Sequence, residues 1–272
     1  MSKHWDIYPK SFENTLFDKE KLSKFRDNEL SFKCNDSLEK RTHFKELRVL
    51  QSLSRIVNKD FIEANKEEKI GKPKTFSFDK KLFDYHDLFL IYFLYVLSPF
   101  IKQKSRENTN IFILEIGGGY GGLAYKIKRL FPKTTCILLD LPETNFISNH
   151  YIKNLDPKAK ILNLEKLLEK KKVKTTENLT IKKRDLVKYD YVILPGYVLE
   201  NFSEIFIDFF INTRSFMEMN LQTINFYFSN IQRLISPTGL FYCVNRYKKA
   251  TSGDIIKFKK FPFDKFWEAI VW

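Results

Sequence analysis

The chain has 272 residues, enough for one large domain or for a domain with a substantial extension. Its apolar and charged fractions, 43% and 29%, are those of a globular protein and exclude a disordered or fibrous chain. The balance of 47 Lys and Arg against 33 Asp and Glu leaves a net charge of +14. Such a charge is compatible with nucleic acid, an anionic membrane surface or a phosphorylated small acceptor. Because the lysines are spread along the chain, charge alone establishes no nucleic-acid partner, and peripheral membrane contact stays open.

Residues 1–106 read as a mainly helical extension. Phe44, Leu47, Leu50, Leu53 and Val57 fall at helical spacings, and Gly71 and Pro73 mark a loop over residues 69–74. Residues 83–101 predict a largely buried helix or helix pair ending near Ser98-Pro99. That apolar run is too short to span a bilayer, and the opening residues lack a secretory signal's apolar core, so a cytoplasmic protein is expected. His86 lies near the start of this helix, as a core or capping residue or as a general base. Residues 102–110 read as the linker into a second part, residues 107–272.

Residues 111–116 form a short apolar run that reads as a buried strand. Five glycines follow within six positions: Gly117, Gly118, Gly119, Gly121 and Gly122, with Tyr120 between them. Leu123, Ile127 and Leu130 then carry helical spacing up to Pro132. Strand, glycine turn and helix in that order make a nucleotide-binding βα unit, whose helix N-terminus offers unpaired N–H groups. The spacing also satisfies the dinucleotide fingerprint. Glu115 argues for S-adenosylmethionine (SAM): a carboxylate beside the turn repels a pyrophosphate but attracts an ammonium and a sulfonium. Residues 134–140 read as the next strand, ending in Asp140, the expected partner for ribose hydroxyls; Leu141 adjoins it. Asp140 could instead cap the helix that follows Pro142. SAM is favoured, with a dinucleotide and a purely structural role as the alternatives.

A helix is expected over residues 142–151, and residues 156–188 read as a surface insertion with a helix at 162–171 and a short strand at 179–182. Residues 191–195 and 207–213 read as buried parallel strands. Their carboxyl ends put Pro195, Gly196 and Tyr197 near an adenine and residues 212–218 on the ligand side. An amphipathic helix at 223–235, closed by Pro237-Thr-Gly239, leads to a strand at 240–245. Residues 257–272 read as an antiparallel edge hairpin. Cys34, Cys136 and Cys243 suggest neither a disulfide framework nor a metal site.

The run from Glu115 to Gly122, Asp140-Leu-Pro-Glu143, and the segments 211–220 and 241–247 together resemble the sugar O-methyltransferase family of bacterial surface-polysaccharide clusters. The resemblance covers roughly residue 83 onward. It implies an α/β, Rossmann-like class I methyltransferase sheet with helices on both faces, SAM as cofactor, and a sugar, nucleotide-sugar or glycan hydroxyl as acceptor. The residues proposed to hold the cofactor are Glu115, Gly117, Gly118, Gly119, Tyr120, Gly121, Asp140, Leu141 and Pro195. Methyl transfer from a sulfonium needs alignment and removal of a hydroxyl proton. Glu218 and His86 are the base candidates, and Arg214 and Arg246 are candidate clamps for an anionic group. Glu218 could equally pair with Arg214 four residues earlier on a helix. No Asp- or Asn-Pro-Pro-aromatic motif of amine-methylating enzymes and no cysteine nucleophile after proline is present. RNA methylation and a non-catalytic scaffold role are the rivals.

Overall fold

The computed structural model describes residues 18–26, 42–66, 69–78, 81–107, 109–249 and 255–270; Cys34 lies outside them. Its centre is a sheet of six parallel strands: β3 (Ile111–Ile116), β4 (Thr134–Asp140), β5 (Ile161–Asn163), β6 (Tyr191–Pro195), β7 (Ile207–Thr213) and β8 (Ile235–Val244), in the order β5-β6-β4-β3-β7-β8. Every residue of β3 is buried, as a strand covered on both faces requires.

Alternation divides that burial between two cores. Phe112, Leu114 and Ile116 enter one, with α7 (Leu164–Lys171), α8 (Lys183–Leu186) and α9 (Leu221–Leu234) packed over it. Ile111 and Ile113 enter the other, beneath α4 (Tyr85–Ser105), α5 (Gly122–Leu130) and α6 (Pro142–Leu155). The protein is thus Rossmann-like, with helices on both faces of a parallel sheet. Successive strands β4, β5 and β6 lie to one side of β3, and β7 and β8 to the other. The chain therefore reverses direction across the sheet at β3 and β7, and a crevice forms at their carboxyl ends.

The first part contains α1 (Lys19–Ser23), α2 (Thr42–Ile56), α3 (Lys59–Ala64) and a hairpin of β1 (Thr75–Phe78) and β2 (Lys81–Asp84). Helix α4 joins it to the sheet. Leu90, Phe93, Leu94 and Leu97 pack on the sheet, while Leu88 and Ile91 pack with Leu50, Leu53, Phe76 and Phe83. Two buried ion pairs reinforce this seam: Arg26 with Asp84, and Lys126 of α5 with Asp87 at 2.5 Å. Lys126 also donates to the Asn65 carbonyl at 2.7 Å.

Several expectations need correction. The hairpin replaces part of the expected helical extension. Helix α4 runs through Pro99 to Ser105 as one element, and its last turn takes up the start of the expected linker. At residues 179–182 only an isolated bridge, Ile181 to Phe202, forms. Pro237 and Gly239 lie inside β8, where the chain bulges between its pairings at Ile207 and Phe209. Among the described residues, residues 257–270 add no antiparallel strand to the sheet. Residues Lys248–Lys249 (β9) and Ile256–Lys257 (β10) pair only with each other, and the chain beyond turns through Phe258–Lys260. Phe258, Phe261, Phe263 and Trp267 instead cluster on Phe228 and Phe241, with ring centroids as close as 4.8 Å for Phe228 and Phe263. Burial of those aromatics is the stronger drive, and Pro262 has no N–H to give a ladder. No described helix is long and apolar enough to cross a membrane.

Candidate active site

The glycine turn leaves β3 in a left-handed conformation: Gly117, Gly119 and Gly121 have φ of +73°, +56° and +88°. Gly117 donates to the Leu139 carbonyl at 2.7 Å, and Gly121 to that of Gly118 at 3.0 Å. A Cβ on Gly117 would lie 2.2 Å from the Ser215 side chain, so no other residue fits there. Helix α5 begins at Gly122 with no side chain capping it. Its first N–H groups therefore face the crevice without an internal acceptor.

Glu115 shares the parity of Ile111 and Ile113, so its carboxylate projects on the α5 and α6 side of the sheet. It is 5% exposed, and its Oε2 has no hydrogen-bond partner. Burial, with Asp140 nearby as the second cause, raises its pKa to about 8. Asp140, two residues after Leu138 in the neighbouring strand, projects to the same side. Its Oδ2 accepts from the Gly119 N–H at 2.8 Å and its Oδ1 from the Leu141 N–H at 2.7 Å. Those bonds, and one from Thr144, hold its pKa down, but burial wins and leaves it at about 6. The carboxylate does not cap α6, whose N-cap position is Leu141 and which has no side-chain cap. Asp140 instead ties the end of β4 to the glycine turn.

Pro195 is buried opposite Asp140 in the β4–β6 ladder, and Leu141 is half-buried. Gly196 follows, where a Cβ would meet the Tyr227 hydroxyl at 2.2 Å, and Tyr197 is exposed beyond it. The Tyr120 ring packs inward among other aromatics. It is buried against Phe25 and Tyr151 under the Arg26 guanidinium, 4.7 Å from the ring centroid.

His86 lies in the first turn of α4, its ring edge-on to Tyr120 with centroids 5.6 Å apart. Burial first, then the charges of Arg26, Arg214 and Lys126, lower its pKa to about 3. His86 is therefore neutral at physiological pH. The helix is capped by Asp84, which accepts from the His86 backbone N–H at 2.9 Å.

The loop after β7 does not form the helix on which Arg214 and Glu218 could have paired. Arg214 has φ of +69°, a left-handed conformation rare outside glycine, and Glu218 closes a 3-10 turn over Phe216–Glu218. No ion pair joins Arg214 to Glu218. The Arg214 guanidinium lies 5.4 Å over the Phe89 ring of α4, and Glu218 is half-buried. Arg246 is exposed after β8.

The residue that organises this loop is Asn212, fully buried at the end of β7. Its amide donates to the Ile116 carbonyl at 2.9 Å and to the Ser215 hydroxyl at 2.6 Å. Its oxygen accepts from the Phe216 N–H and from the Asn245 amide at 2.8 Å, and Asn245 accepts from the Met217 N–H at 3.0 Å. The ends of β3, β7 and β8 are thereby fixed to one another. The sequence placed Asn212 and Asn245 on the ligand side without this bracing role. Polar residues ending buried strands were the available signal. Among the described residues, no group of three His, Cys, Asp or Glu could hold a metal ion.

No family model and no curated protein matches this chain. Solved structures similar to it include a chain from Galdieria sulphuraria provisionally named a sarcosine dimethylglycine methyltransferase. It has 17% identity and a TM-score of 0.39, over 58% of this chain and 48% of that one. The mitomycin 7-O-methyltransferase MmcR has 15% identity and a TM-score of 0.33, over 72% of this chain and 48% of that one. Coclaurine N-methyltransferase bound to N-methylheliamine and SAH has 13% identity and a TM-score of 0.37, over 88% and 57%. This chain spans about half the length of these proteins. At such scores the residues, not the neighbours, carry the chemistry.

Proposed function

We propose that the chain is a SAM-dependent O-methyltransferase acting on a hydroxyl of a sugar or glycan precursor. One observation carries the cofactor: the buried Glu115 carboxylate, its Oε2 without a hydrogen-bond partner, lies near Asp140 at a glycine turn. Two carboxylates at one buried turn suit a ligand that brings hydroxyl donors and a positive charge, which would favour the ionised form of Glu115 that burial disfavours. The residues fit SAM on those grounds. Glu115 would face the cationic end, Asp140 would accept from the ribose hydroxyls, and Pro195 and Leu141 would flank the adenine. When bound, SAM supplies a methyl group on a good leaving group.

The chain's own residues then have to orient the acceptor and take its proton. Glu218, on the loop braced by Asn212, is the first candidate base. Neutral His86 is the second, although its low pKa makes it a weak one. Arg214 presents an exposed guanidinium steadied on Phe89, suited to a phosphate or carboxylate of the acceptor. The preference for a sugar rests on the resemblance of segments 211–220 and 241–247, which the Asn212–Asn245 bond joins in space.

Calorimetric titration with SAM, S-adenosylhomocysteine and NAD, one at a time, tests the reading. Micromolar binding of the first two and none of NAD supports it, and methylation of a nucleotide sugar or capsule fragment would complete it. Binding of NAD alone would overturn the Glu115 argument.

A further inference from the structure

Residues 246–249 and 255–270 form a platform that begins at the crevice, and its exposed side chains are both basic and apolar. Arg246, Lys248, Lys257, Lys259, Lys260 and Lys265 are all exposed. None of them makes an ion pair among the described residues. Among the described residues of this stretch the exposed acids are Asp264, which accepts from Gln232 at 3.0 Å, and Glu268. Between the cations stand large apolar side chains facing solvent: Phe266 at 84% exposure, Tyr247 at 68%, Ile255 at 64% and Ile270 at 60%. Single exposed apolar residues are ordinary, but four on one short basic segment are not.

The platform is held from beneath. Phe258, Phe261, Phe263 and Trp267 pack onto Phe228 and Phe241, the β9–β10 ladder pairs Lys248 with Lys257, and the Phe258 N–H donates to the Tyr247 carbonyl at 2.8 Å. Its inner aromatics thus serve the core, which leaves the outer ones without a structural task. It also begins at the ligand-side end of β8, directly after Asn245.

We propose that this platform docks the protein on an anionic lipid bilayer, with Phe266, Ile255 and Ile270 entering the interface and the lysines facing lipid headgroups. Clustered lysines near a membrane surface are attracted by its negative potential, and apolar side chains at that level add partitioning energy. The composition favours lipid over nucleic acid. Five of the six cations are Lys rather than Arg, and isoleucines offer no face for base stacking. Docked this way, the crevice would open near the bilayer, where a lipid-carried acceptor would be presented. The docking itself does not depend on the proposed reaction.

Vesicle co-sedimentation of the full chain tests this. Vesicles of equal parts phosphatidylglycerol and phosphatidylcholine should bind it, phosphatidylcholine alone should bind far less, and rising salt should release it. Lys259→Glu with Lys260→Glu should weaken binding on the order of tenfold or more. Phe266→Ser with Ile270→Ser should do likewise at unchanged charge, with thermal melting as the check on folding. Equal binding to neutral vesicles, no binding to anionic ones, or variants that bind like the parent would each overturn the proposal. So would single-stranded RNA that binds the same lysines more tightly and strips the protein from vesicles.

Discussion

Glu115→Gln separates the electrostatic role of this residue from its packing, because the amide keeps the shape and loses the charge. Burial holds the Glu115 pKa at about 8 in the free protein. At pH 7 roughly nine in ten copies are then protonated. A cation arriving beside it favours the ionised form, so SAM binding at pH 7 should release close to one proton. Between about pH 6 and 8 affinity should climb by up to tenfold per unit. The experiment belongs below about pH 7.5, before a free α-amino group loses its own proton. The stability effect has the opposite sense. An acid whose folded pKa is raised binds more protons folded than unfolded, so its contribution is full at low pH. It is lost as pH climbs from the ordinary glutamate range through 8. The parent protein should therefore lose a few kcal/mol of stability across that window, and Glu115→Gln should keep only the smaller loss that Asp140, raised to about 6, contributes in its lower part. At pH 8 the variant should be the more stable protein and the poorer SAM binder. Calorimetry in two buffers of different ionisation enthalpy counts the protons, and urea unfolding at pH 6 and 8 measures the stability. A parent that releases no proton at pH 7, with a variant no more stable than the parent at pH 8, would refute the reasoning.

Other substitutions test the frame around that carboxylate. Asn212→Ala should cost about 2–4 kcal/mol in urea unfolding, because it strands the Phe216 N–H and the Asn245 amide in a buried site. Lys126→Met should cost about 3–5 kcal/mol by breaking a buried ion pair from one side, and adding Asp87→Leu should recover part of the loss. Gly117→Ala should abolish SAM binding in calorimetry, since its Cβ would clash with Ser215 as placed and its φ of +73° is strained for alanine. With the His86 pKa at about 3, the pH–rate profile between about pH 5 and 9 should carry no inflection that His86→Gln removes; such an inflection would contradict its surroundings.

How much of this could be read from the residues depended on whether a feature was local. Strand β3, its glycine turn and α5 occupy twenty consecutive residues (111–130), and apolar period, glycine spacing and a terminal proline mark them without help from the rest of the chain. Asp140 was legible for the same reason. The hairpin at Thr75–Asp84 was not, although Phe76 and Phe83 pair across it: its strands are four residues each, shorter than the window in which alternation outweighs helical spacing. For Arg214 and Glu218 the spacing of four left a helical pair open as an alternative, but such a spacing pairs side chains only while the backbone stays right-handed, and Arg214 does not. The Asn212 network spans bonds separated by 96 and 33 residues, beyond what any local pattern carries.

The glycines themselves draw the line between what is local and what is not. Read along the chain, they suggest a backbone cleared for a ligand. In the folded protein the space beside Gly117 belongs to Ser215, and that beside Gly118 to Leu138, 2.5 Å from where a Cβ would be. The space beside Gly121 is lined by Ile152 and Leu138, at 3.2 and 3.4 Å. These glycines admit neighbouring strands and helices as closely as they would admit a ligand. A glycine-rich turn is therefore weak evidence for a cofactor when taken alone. The stronger evidence is a cost the fold bears without a structural return: a carboxylate oxygen of Glu115, sealed from water with nothing to bond. Packing would be better served by an apolar residue at that position, so an ionisable group kept there points to a ligand that draws out its charge.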